Sequence, residues 1–90
     1  MAQAIVDPAE IRRFATQLKQ FNEELRDRLT ALRGQLAGLG DTWRDQEHER
    51  FVQEFDQTMH VLGAFVALAD EHIPFLLRKA DKVEEYLQQR

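Results

Sequence analysis

The chain has 90 residues, is 43% hydrophobic and 31% charged, and carries a net charge of -4, which suits one small helical domain and excludes a disordered chain. It has no cysteine, so disulfides and thiolate metal sites are ruled out, and its acidic balance argues against a nucleic-acid partner. The chain also lacks serine, which removes nucleophilic catalysis by serine as well as by cysteine.

The segment 1–6 has neither the basic start nor the apolar core of a signal peptide. No run reads as long enough in apolar residues to span a membrane. The default location is therefore cytoplasmic, unless export proceeds without a cleaved signal. Asp7-Pro8-Ala9-Glu10 is a helix start, with Asp7 as cap, Pro8 at the first position and Glu10 placed to reach back. From there Ile11, Phe14, Leu18, Phe21, Leu25, Leu29, Leu32, Leu36 and Leu39 recur at steps of three and four. That spacing predicts a helix over about 8–37 with one apolar stripe.

Gly38-Leu39-Gly40-Asp41-Thr42-Trp43 interrupts the pattern. Either glycine can take the left-handed conformation that ends a helix, and Asp41 or Thr42 can cap the next one. A turn at 38–42 is expected, with Trp43 in the first turn of the second helix.

The second helix is expected over about 43–87. Its main stripe is Phe55, Met59, Leu62, Val66, Ala69, Ile73, Leu76, Ala80, Val83 and Leu87, with Phe51 one turn earlier. Such regularity is the mark of helix-on-helix packing. A second stripe, Val61, Phe65, Leu68, His72 and Phe75, lies one residue behind the first. Two adjacent stripes make an arc too wide for one neighbouring helix. Pro74 disfavours helix, but the apolar register runs through it unbroken and His72 and Ile73 are poor caps, so a kinked continuous helix is expected, with a break at that point as the alternative.

A hairpin closed at 38–42 would put Ile11 opposite the low seventies, leaving the apolar tail to overshoot by about four turns, roughly 20 Å. The fold expected is therefore all-α: an antiparallel two-helix hairpin with the tryptophan at the turn, dimerising into a four-helix bundle. The interface is assigned to Val61, Phe65, Leu68, His72, Ile73, Phe75, Leu76 and Val83.

Residues 43–72 hold seven acids against only Arg44 and Arg50, which reads as a solvated helix face or an acidic docking patch. His48, His60 and His72 are twelve residues apart, so they share no face of a straight helix and form no metal set. His72 is read as an interface histidine, with pH sensing the alternative. There is no phosphate-binding glycine loop, no zinc-protease motif and no serine-hydrolase elbow. The chain is expected to be no enzyme, to need no cofactor or metal, and to insert stably in no membrane. A peripheral membrane-active helix would show a polar face richer in Lys and Arg.

A chain near this length, two long helices, and Leu39-Gly40-Asp41-Thr42-Trp43-Arg44-Asp45 at their junction together resemble the WXG100 (ESAT-6-like) family. The start Val6-Asp7-Pro8-Ala9-Glu10-Ile11 and the stretch from Phe51 to Phe55 fit the same resemblance. It implies hairpins that pair into four-helix bundles and are exported by type VII secretion systems or escort other substrates of them. Partners implied are a second copy or a paralogous hairpin, and beyond these a secretion ATPase or a larger hairpin-bearing cargo. Trp43, Asp45 and Gly40 are the candidate recognition residues of the turn, with a bundle-capping role for Trp43 as the other reading. The family motif Trp-x-Gly has Asp45 at its third position here, and Tyr86 is followed four residues later by Arg90 rather than by an acid. A cytoplasmic coiled-coil scaffold unrelated to secretion remains the alternative function.

Overall fold

The computed structural model describes residues 6–89. The reading of segment 1–6 as free of a signal peptide therefore falls almost wholly outside the described residues, as does Arg90. Among them are two helices, α1 (Pro8–Leu39) and α2 (Gln46–Gln88), packed as an antiparallel hairpin. The rod measures 68 × 18 × 15 Å, two helices thick at most.

Asp7 caps α1 as expected: its carboxylate accepts from the Ala9 N–H at 2.9 Å, and Pro8 fills the first position, where no backbone donor is needed. The reversal differs from expectation. No glycine adopts a positive φ; Gly40 is right-handed at φ -61°. The backbone instead continues in helical turns, with Asp41 N–H donating to Gly38 C=O, Thr42 to Leu39 and Trp43 to Leu39 at 2.9–3.1 Å. Asp41 and Thr42 thus belong to the end of the first helical path and do not cap α2; the Thr42 hydroxyl donates to the Leu39 carbonyl at 3.5 Å. The cap of α2 is Asp45, whose carboxylate accepts from the His48 N–H at 2.9 Å, with Glu47 and Glu49 in the positive first turn. Trp43 precedes α2 rather than lying in its first turn.

This later reversal moves the register. The Asn22 amide donates to Asp70, and Arg12 reaches both Asp81 and Glu84 at 2.8 Å. Ile11 therefore lies beside the low eighties, not the low seventies, and the long overshoot does not occur. Ile73, Leu76 and Val83 are half-buried and Ala80 fully buried within the hairpin, so the tail from Ile73 packs on its own first helix. The overshoot that assigned them to a dimer interface is therefore absent. It had rested on a turn placed at the glycines. α2 runs through Pro74 without a break.

The row of α1 that meets α2 keeps Ile11, Leu18, Leu25, Leu29 and Leu36 of the expected stripe but runs through Ala15 and Asn22 in place of Phe14 and Phe21. Ala15 and Asn22 are buried, whereas Phe14 and Phe21 are 60% and 52% exposed. The helices meet where side chains are small, at Ala15, Ala69 and Ala80, so the bulky phenylalanines turn aside. The α2 row is as expected, with Met59 and Val66 buried.

Asn22 is the one buried polar residue among those described. It and Arg26 both hold Asp70, Arg26 by an ion pair. The hydrogen bond from Arg26, then that from Asn22, keeps the Asp70 carboxyl below the usual carboxylate range.

Two predictions follow from these contacts. Asp45→Ala should destabilise the hairpin by about 1 kcal/mol in chemical denaturation, but Asp45→Gly by only a few tenths, because glycine is itself acceptable at a helix N-cap. Equal losses would show that the carboxylate does more than cap. Second, a carboxyl with a depressed folded pKa stabilises the fold above its unfolded value, about 3.9, and that contribution is lost as pH falls through the folded value. Thermal melts of the wild type should therefore drop more steeply below about pH 4 than those of Asp70→Asn.

Candidate partner-binding surface

The ion pairs reveal how the hairpin's sides differ. Arg12 follows the packing residue Ile11, Arg26 follows Leu25, Asp70 follows Ala69, Asp81 follows Ala80 and Glu84 follows Val83. Because these residues meet across the hairpin, positions one after the packing row on both helices share one side. Positions one before the row must share the other. On α1 those are Phe14 and Phe21; on α2 they are Phe65, Leu68 and Phe75, with Val61 and Tyr86 on the same flank.

One side of the rod is thus closed by charge, and the opposite side is aromatic. Arg12 is held further toward its charged form by its hydrogen bonds to Asp81 and then Glu84. On the aromatic side Val61 is 68% exposed, Phe65 50%, Leu68 56% and Phe75 58%. These residues form an exposed apolar surface along that side of the rod. His72 lies exposed among these residues, as the second stripe predicted. Five of the eight interface candidates therefore share the open side, and Ile73, Leu76 and Val83 do not.

The surface was only half visible in the sequence. Phe14 and Phe21 looked like core because they are apolar at helical spacing. Alanine at 15 opposite a buried alanine at 80 was the signal that could have shown the packing row to pass through 15 and 22 rather than 14 and 21.

At the turn end, Trp43 is half-buried, its ring 4.9 Å from that of His48 and 6.0 Å from Phe51, which in turn lies 5.7 Å from Phe55. Arg44 donates through Nε to the Gly40 carbonyl at 3.0 Å, tying the loop down. Gly40 sits closely packed: a Cβ there would come 3.3 Å from the Ala37 carbonyl, a tight approach, and 3.7 Å from the His48 ring, an ordinary contact. Gly40, Trp43 and Asp45 therefore meet in one small knot, in which Asp45 is committed to the cap. Asp45 adopts φ -93°, so nothing in the backbone here demands glycine at the third motif position.

Among the described residues no three acids or histidines gather as metal ligands. The expectation that no run has membrane-span composition is corrected: α2 contains an 18-residue window apolar enough to meet it, of which only 11% is buried in the hairpin. The cause is the pair of adjacent apolar stripes on one helix.

A family model, WXG100, "Proteins of 100 residues with WXG", matches residues 3–86. Among solved structures, the secreted protein EsxB of Bacillus anthracis strain Sterne is 25% identical, with a TM-score of 0.78 over 92% of this chain and 89% of that one. A proline-to-alanine variant of EsxB gives a TM-score of 0.82 at 26% identity, covering 94% of this chain and 96% of the other. No curated protein matches. The helical hairpin, its tryptophan knot and the match along nearly the whole sequence lead to one conclusion: this chain belongs to the WXG100 family.

Proposed function

We propose that this chain is a secreted, non-enzymatic protein of a type VII-like secretion system. It acts as an exported substrate, or as an adaptor that escorts another hairpin-bearing protein. The observation that carries this reading is the open aromatic side, where Val61, Phe65, Leu68 and Phe75 stand at 50–68% exposure on a hairpin already closed by its other contacts. Family membership and the likeness to a protein described as secreted support the route.

In this reading the aromatic side takes the helices of another hairpin, a second copy or a paralogue, and the pair completes a four-helix bundle. The Trp43 knot forms the exposed end of that bundle and offers a shape for a secretion ATPase or larger cargo to recognise. α2 serves as a partner-binding helix and not as a membrane span: Asp70, midway along it, is ion-paired across the hairpin. The net charge of -4 gives nucleic acid no purchase.

Export is tested by following the tagged protein in culture medium of its native host, with and without the system's membrane ATPase; equal release from both strains overturns the route. Association is tested with Phe65→Glu. Losing a buried phenylalanine from each half should weaken pairing at least about a hundredfold. Light scattering should then give the mass of one chain, with the helical circular dichroism kept. An unchanged mass would show that the aromatic side is not the contact.

A further inference from the structure

The turn knot holds a group that neither the seam of the hairpin nor the proposed association uses. His48 stands in the first turn of α2, half-buried, with its ring 4.9 Å from that of Trp43. Its Cε1 lies 3.7 Å from where a Gly40 Cβ would stand. Its Nε2 is enclosed and has no hydrogen-bond partner. His60 and His72 are both exposed, so His48 is the histidine whose ring is packed into the fold.

An enclosed, unpartnered Nε2 discriminates between the two forms of imidazole. In the neutral ring it can be the bare acceptor, with the proton on Nδ1. In the cation both nitrogens are donors, and Nε2 becomes an unmet charged donor inside the knot, which costs more than an unmet neutral acceptor. The place adds to the cost. The first turn of α2 is the positive end of the helix dipole, where a further positive charge is unfavourable.

The charged groups around the ring act in the same direction. From α1, Arg33 lines the cleft beside it, and in the turn Arg44 is tied to the Gly40 carbonyl; both repel a cation. On α2, Glu49 and Asp56 line the clefts flanking the ring, Glu47 is in the same turn, and Asp45 is bonded to the His48 backbone N–H. None of these carboxylates bonds Nε2 where it stands. Their attraction is realised when the ring turns outward, toward the exposed Glu49 and Asp56.

We propose that His48 is a proton-operated latch on the turn. Neutral, it packs against Trp43 and holds the knot closed; protonated, it swings out toward Glu49 and Asp56 and frees Trp43 and Gly40 to move. Trp43 is thereby presented in two states, selected by acidity across the range in which imidazole ordinarily takes up a proton, about pH 5–7. The latch belongs to a single hairpin and depends on neither pairing nor export. It works above the acid range in which Asp70, its carboxyl held low by Arg26 and Asn22, loses its charge.

Trp43 is the chain's one tryptophan, so its fluorescence reports the knot. From about pH 7.5 down to about pH 5, wild-type emission should shift to the red and grow more open to acrylamide quenching. Helical circular dichroism and the mass from light scattering should stay constant. His48→Gln should abolish the shift, whereas His60→Gln and His72→Gln should keep it. A second measurement needs no variant: in NMR titration of the wild type, the Trp43 indole N–H should move with the same midpoint as the His48 ring protons. Emission that stays constant across the range overturns the latch, as do separate midpoints for the two rings. A shift that persists in His48→Gln, or one that accompanies a loss of helicity or a change of mass, overturns it equally.

Discussion

Two helices packed along one seam can bury only one stripe each, and that constraint governs this molecule. The rod is 18 × 15 Å in section, which leaves no interior beyond the seam itself. A chain of this size has little apolar area to bury on its own. α2 nevertheless carries two adjacent stripes, and the hairpin uses the first completely. The second is surplus to the fold of a single chain, and the proposed association draws on that surplus.

The small side chains of the seam and the aromatic side of the rod have one origin. Ala15 and Ala80, 1% and 0% exposed, let the backbones approach, and a close approach has no room for phenylalanine. Phe14 and Phe21 are displaced sideways, onto the side where α2 already displays Phe65 and Phe75. The charged residues one step beyond the packing row close the other side. The hairpin is sealed along one edge by ion pairs and left open along the other, without any change of secondary structure.

Much of this could be read from the sequence, and the failures have physical causes. Helix type, the two apolar rows of α2 and the cap at Asp7 follow from periodicity and side-chain chemistry, which are local properties. The reversal was misplaced because two glycines permit a left-handed stop without requiring one, and the chain here keeps helical bonds through Trp43. That single displacement shifted the partner of every α1 residue and moved Ile73, Leu76 and Val83 from the outside to the seam. Asp45 looked like a departure from the Trp-x-Gly motif. In the structure it stands at a helix cap, a position that accepts aspartate and glycine alike. Asn22 was invisible as a core residue because a lone asparagine on a helix is ordinarily solvated.

Asn22 reaches further than its own contact. Were α1 to slip one turn along α2, the Asn22 amide would lose Asp70, a cost that a sliding seam of leucines and alanines would never incur. The hairpin is thereby keyed to a single alignment, as a lone polar residue keys a coiled coil. The key lies inside, yet what it fixes is outside: where the aromatic rings of α1 stand relative to those of α2. The pattern offered to any visiting helix is written by an amide that no visitor can touch.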